Sequence, residues 1–144
     1  MVGASLLFAL LASAPGATAA AGSDTEPAMR NAQLPRITAV TIVESGATSP
    51  ASKEPAEQCA GFKLSNKEIR QYLGKAGEVA EHDYLHMLDW SPCYASGEVS
   101  FKNGVKGTWQ IQQYRAGSLK LNNGRTVYLY CPKCKAKAFP PVEK

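Results

Sequence analysis

The sequence predicts an α+β domain in which a helix, or a pair of helices, packs on one face of a four- to five-stranded antiparallel sheet. Three observations carry that expectation. A run dense in β-branched residues, RITAVTIV at 36–43, reads as a strand. A capped helical segment begins at Ser65. From Tyr94 to Cys131 apolar and polar residues alternate, and Asn-Gly pairs interrupt the alternation at hairpin spacing, which makes an antiparallel meander.

The N-terminal residues set how much of the 144-residue chain takes part. An apolar run, LLFALL at 6–11, is followed by Pro15-Gly16 and by the small-residue track ATAAA at 17–21. Apolar core, breaker and Ala-x-Ala track are the parts of a cleavable export signal, so residues 1–21 are expected to be a leader. No Lys or Arg precedes the run, which departs from the usual basic start. The run is far short of the ~20 apolar residues that a bilayer crossing needs, so no membrane span is expected. The mature chain is therefore expected in the periplasm or outside the cell. Tyr and Lys side chains together could suit single-stranded nucleic acid, but export argues against that partner, and no nucleic acid is expected.

Residues 22–58 are expected to hold the strand at 36–43 and then a flexible linker, SGATSPASKEPAEQ at 45–58. Residues 59–144 are expected to form the cysteine-containing domain. Within it Ser65 and Glu68 stand at capping-box spacing, with Leu64 and Ile69 placed to staple the helix start. Ile69, Tyr72, Leu73 and Ala76 keep helical spacing, Gly74 and Gly77 weaken the middle, and Val79, Ala80, Tyr84, Leu85, Met87 and Leu88 resume an apolar pattern. Two short helices broken near Gly77, or one kinked helix, follow. Pro92 ends the helical region because it pushes the residue before it out of helical geometry.

In the meander the period of two assigns the faces. Val99, Phe101, Trp109, Ile111, Leu119, Leu121, Val127, Leu129 and Cys131 fall on the core side. Lys102, Lys106, Thr108, Gln110, Gln112, Tyr114, Lys120, Tyr128 and Tyr130 fall on the other. Tyr offers contact area with a polar tip, and Gln and Lys add adaptable polar contacts. Gln110, Gln112, Tyr114, Tyr128 and Tyr130, flanked by Lys106 and Lys120, are the expected binding surface, suited to a protein or a glycan. Its simplest alternative is an ordinary solvated sheet face.

Charge is unevenly distributed. From Phe101 onward nine Lys and Arg face Glu143 alone, whereas the earlier residues carry seven basic and eleven acidic side chains. A dipolar molecule of this kind can steer toward an acidic partner.

Four cysteines follow the leader: Cys59, Cys93, Cys131 and Cys134. An even count in an exported chain favours disulfides, with three possible pairings. In an up-and-down meander Cys93 lies at the same end of the sheet as Cys131 and Cys134, but a flat sheet holds them roughly 14 Å apart. Bridging needs Cα atoms within about 7 Å, which leans toward Cys59 with Cys93 and Cys131 with Cys134. Two other readings stay open. Zinc would draw on Cys93, Cys131, Cys134, His82 and His86, the last two on one helix face. A redox dithiol at Cys131-Pro132-Lys133-Cys134 would want a helix N-terminus, and a strand precedes it instead. His82, Asp83 and His86, with Glu78 and Glu81, could serve a hydrolase, although such a cluster also describes the wet face of a helix. No catalytic motif is present, so no catalytic residue and no cofactor is assigned, and the expectation is a protein that binds.

Two resemblances add to this. The order strand, helix, meander is similar to that of cystatin-like folds, a likeness of element order alone. EHDYLHMLDWSPC at 81–93, the Asn-Gly hairpins and YCPKC at 130–134 resemble small exported bacterial proteins of uncharacterised function. Some exported proteins of similar size are periplasmic immunity proteins that neutralise secreted antibacterial effectors. The resemblance covers about the last half of the chain and implies a binding role.

Overall fold

The computed structural model describes residues 26–142, and the expected leader at 1–21 lies outside them. Strands β1 (Arg30–Asn31), β2 (Ile37–Thr48), β3 (Gly77–Val79), β4 (Cys93–Phe101), β5 (Lys106–Gln112), β6 (Ala116–Leu121) and β7 (Thr126–Tyr130) accompany helices α1 (Asn66–Lys75) and α2 (Glu81–His86). The strands form one antiparallel sheet in the order β1-β3-β7-β6-β5-β4-β2.

The α+β class and the helix-on-sheet arrangement are as the alternation requires. The strand count is corrected. Seven strands stand where four or five were expected, because Arg30–Asn31 and Gly77–Val79 add to the sheet beyond β7. The helical region breaks at Gly77 as its glycines suggest, but a strand fills the break, and the cystatin-like order is not reproduced. Gly77 is needed there: a Cβ would meet Met29 Cβ at 2.9 Å, so the close pairing of β1 with β3 excludes a side chain.

Helix α1 starts as its sequence dictates. Ser65 Oγ accepts from the Glu68 N–H at 3.1 Å, and Glu68 Oε1 accepts from the Ser65 N–H at 2.9 Å. The helix buries Ile69, Tyr72 and Leu73 against the sheet. The facing surface is the expected one: Val99, Phe101, Trp109, Ile111, Leu119, Leu121, Val127, Leu129 and Cys131 are all buried in one core cluster. Glycines make the fit. A Cβ at Gly97 would come within 2.7 Å of the Trp109 ring, and one at Gly117 within 2.8 Å of the Tyr72 hydroxyl. The bare backbone at those two positions leaves the room that the two largest buried rings occupy against the sheet.

The Tyr72 hydroxyl then donates to the Arg115 carbonyl at 2.7 Å. Arg115 occupies the β5–β6 turn with φ of 73°, a left-handed conformation that a glycine more often takes. The nearby Gly117 is committed to the strand beneath Tyr72. The Arg115 side chain turns toward the C-terminal segment. Its Nε donates to the Cys134 carbonyl at 2.9 Å, its Nη2 donates to the Pro140 carbonyl, and its guanidinium stands 5.2 Å from the Phe139 ring centre. Phe139 is thereby held in the core near Phe62 and Tyr72. The two Asn-Gly turns have Gly104 and Gly124 at φ of 82° and 90°, as tight hairpins demand.

Strand β2 is an edge and runs further than expected, into the segment read as linker. Its outward groups are not left bare. The Val40 carbonyl accepts from Asn66 Nδ2 at 2.7 Å, the Thr38 carbonyl from Arg70 Nη2 at 3.4 Å, and the Gly46 N–H donates to the Phe62 carbonyl at 2.8 Å. Side chains of α1 therefore blunt the edge. At the opposite edge the buried carboxylate of Glu78 accepts from Arg30 Nε at 2.8 Å and from Arg125 Nη2 at 3.3 Å, fastening β1 and the β6–β7 turn to β3.

Candidate functional site

The second face of the sheet carries the expected binding residues, and the structure divides them into two groups. Helix α2 crosses this face over β7. The Tyr84 ring lies 4.8 Å from that of Tyr128, whose hydroxyl donates to Glu81 Oε1 at 3.3 Å. The chain then continues over the ends of β6 and β5, where Gln112 Nε2 donates to the Asp89 carbonyl at 2.8 Å. Val79 and Ala116 are buried here, outside the main core cluster. A thin second layer thus covers one end of the face.

Gln112 belongs to that layer and not to a free surface. It is 7 % exposed, and its Oε1 accepts from the Tyr114 N–H at 2.7 Å, so both ends of its amide are occupied. Tyr128 and Tyr130 are half-covered. Burial raises the pKa of Tyr84, Tyr128 and Tyr130. Strand alternation finds the face of a residue, but it carries no information on a helix that returns over that face.

Gln110, Lys106, Lys120 and Tyr114 are exposed. Strand register aligns Glu44, Ser96, Gln110, Ser118 and Tyr128 in one row across β2, β4, β5, β6 and β7. Glu98, Thr108, Lys120 and Thr126 align in the next. Glu44 accepts from the Tyr94 hydroxyl at 3.0 Å and from Ser96 Oγ at 3.1 Å. Burial, then the Glu44 carboxylate, pushes the Tyr94 pKa up. Between α2 and the hairpin tips this is a polar floor.

The segment that returns over this face carries exposed apolar residues, two of which, Leu85 and Met87, belong to the apolar pattern read in the sequence, while Tyr114 was expected on this face. Leu85 and Trp90 are each 61 % exposed, and Met87 and Tyr114 are exposed as well. A six-residue helix over a sheet can bury one narrow side, occupied here by Tyr84. The DYLHMLDW stretch has apolar residues on more than one side, and that excess is the signal in the sequence for a ridge. Glu81, Asp83 and Asp89 lie along the same segment.

The cysteines form two bridges, Cys59–Cys93 with Cα atoms 4.9 Å apart and Cys131–Cys134 with Cα atoms 5.3 Å apart. All four cysteines are bridged in this structure, so Cys93, Cys131 and Cys134 are paired as disulfides here and not gathered with His82 and His86. The His82 and His86 rings lie 4.6 Å apart on the exposed side of α2, and His82 Nδ1 is 3.5 Å from Asp83 Oδ1. Among the described residues no group of three His, Cys, Asp or Glu side chains is arranged to hold a metal ion. No helix among them is long and apolar enough to cross a membrane. The two bridges are compatible with an exported protein. No family model matches the chain, and no curated protein or solved structure matches it either.

Proposed function

We propose that this is an exported domain that acts by binding a protein partner through the second face of its sheet, in the manner of an inhibitor or a periplasmic immunity protein. One observation supports this most strongly. Leu85, Met87, Trp90 and Tyr114 are exposed at the covered end of this face, and Gln110, Lys106 and Lys120 are exposed on the open sheet; we read the first four as one apolar ridge beside a polar floor. An exposed Trp with aliphatic neighbours and a polar surround has the composition of a binding hot spot. The surface proposed from the sequence is thereby moved toward α2, with Gln112 serving as a strut beneath it.

The acids Glu81, Asp83 and Asp89 on the ridge favour a partner with basic groups near its apolar contact, while Lys106 and Lys120 favour acids further along. Capture from an envelope extract with the mature protein as bait, beside a Trp90→Ala bait, tests the reading. A partner retained by the first and lost by the second is expected. Replacing His82, Asp83 and His86 together with Ala should leave function in place; loss of a measurable hydrolysis in that variant would instead favour the enzyme.

A further inference from the structure

We propose that His82 and His86 form a chelating site on α2 for one first-row transition-metal ion that favours imidazole, Cu²⁺, Ni²⁺ or Zn²⁺, and that the bound ion braces the helix. The site is independent of the partner surface proposed above. Helical geometry creates it. The Tyr84 N–H donates to the Ala80 carbonyl at 2.9 Å and the Met87 N–H to the Asp83 carbonyl at 2.8 Å, so residues 82 and 86 stand one turn apart on the same side. Both side chains are exposed, and their ring centres lie 4.6 Å apart. Two imidazoles that ligate one ion at about 2 Å each have their ring centres roughly 4.5–5 Å apart. The free pair already has that spacing, so little rearrangement precedes binding.

Asp83 orients one of the ligands. Its Oδ1 stands 3.5 Å from His82 Nδ1, and a carboxylate on that side holds the ring proton there and leaves Nε2 as the ligating atom. Local charge favours a cation as well, since residues 76–101 contain five acids and no Lys or Arg. A pair of imidazoles selects borderline ions over Mg²⁺ and Ca²⁺, which take oxygen ligands. Two side chains make an open chelate and not a closed cage, in keeping with the absence of any three-residue group among the described residues, and water fills the remaining positions.

The helix that carries the pair has little to hold it. It is six residues long, its N-cap residue Ala80 makes no side-chain cap bond, and it meets the sheet through Tyr84 on Tyr128. An ion that spans one turn binds the helical form alone and stabilises it by mass action.

His82 and His86 are the only histidines of the chain, so a titration of the untagged protein with the metal alone reads this pair. Calorimetry near neutral pH should give one ion per chain, with Cu²⁺ held more tightly than Ni²⁺ or Zn²⁺ and no binding of Mg²⁺. His82→Ala and His86→Ala should each weaken binding by about tenfold or more, since loss of a ligand costs no less than loss of the group that orients one. Both side chains are exposed, and the urea midpoint of the metal-free variants should stay in place. The His86→Ala/Met87→His chain keeps two imidazoles but turns the second off the shared side, and it should bind no better than His86→Ala. Absence of saturable binding, binding that survives either single substitution, or equal binding by the displaced pair would each overturn the site. Bound metal should also slow amide exchange in α2 of the parent chain and not of His86→Ala. Binding at the pair without that slowing would overturn the brace.

Discussion

The two faces of the sheet are built from the same strands and have opposite character. Under α1, glycines at 97 and 117 leave room for Trp109 and Tyr72 close against the backbone, and every expected inward residue is buried. Under α2 the layer is thin: one Tyr pair, one amide strut and a few small buried residues leave Leu85, Met87 and Trp90 facing water. The first face can lose little without losing the fold. The second carries side chains whose removal the fold can tolerate, and such groups are free to serve recognition.

The contrast is broken most directly at Trp109. It is fully buried, and its Nε1 donates to the Glu98 carbonyl at 3.1 Å. Trp109→Ala should cost about 3–5 kcal/mol, read from the urea midpoint. A loss no greater than that of a surface substitution would mean that the main core is not where the packing places it.

The disulfides sharpen the same contrast. Cys59–Cys93 spans a sequence separation of 34 and ties the segment after β2 to the start of β4, whereas Cys131–Cys134 spans 3. On chain entropy, replacing the first pair with Ala should cost about 4 kcal/mol and the second about 2 kcal/mol. Calorimetry of the two double variants orders them. Equal losses would show that native contacts of the C-terminal segment, and not loop closure, set the effect of the short bridge.

How far the sequence reaches follows the same division. The α1 face was legible because it depends on local rules: the Ser65–Glu68 box, the Asn-Gly turns and the alternation through β4–β7 each specify geometry within a few residues. The short strands β1 and β3 were not, since two or three residues hold too few periods to show one. Their pairing depends on Glu78 with Arg30 and Arg125, a contact between distant parts of the chain. The site was legible by face and not by cover. Gln110, Lys106 and Lys120 are open as expected, but the return of residues 84–90 over Tyr128 and Gln112 is a tertiary event without a periodic signature.

Alkaline pH probes the buried side more gently. Burial holds the Tyr72 hydroxyl protonated well above its ordinary range. An unfolded chain ionises the same group near pH 10, so above that value it binds fewer protons than the folded chain and stability falls as pH rises. The contribution is fully present below pH 10 and is lost progressively above it, by up to about 1.4 kcal/mol per pH unit. Tyr72→Phe should lower stability at neutral pH, through the lost bond to Arg115, and flatten the fall above pH 10. Parallel slopes in the two proteins would show that other groups cause the alkaline loss.

Gln112 marks the boundary between the faces. Gln112→Ala leaves the Asp89 carbonyl and the Tyr114 N–H without their partners at a buried position. A cost of about 1–2 kcal/mol is expected from denaturant unfolding, together with faster amide exchange in the segment after α2. No change in either would return Gln112 to the free surface.

The smallest effect is expected one step along the same strand. Gln110 has the same side-chain chemistry as Gln112, on the same face and two residues away, yet it is exposed, as is Lys120 in the next row. Neither removes a bond that holds α2. Gln110→Ala and Lys120→Ala should each shift stability by no more than about 0.5 kcal/mol, the range of ordinary surface substitutions. The pair Gln110→Ala and Gln112→Ala, measured side by side in urea, therefore isolates the cover from the chemistry, since only the overlying segment differs between the two positions. A clear destabilisation by Gln110→Ala would mean that the second layer extends across the floor, and the surface available for recognition would then shrink to the ridge.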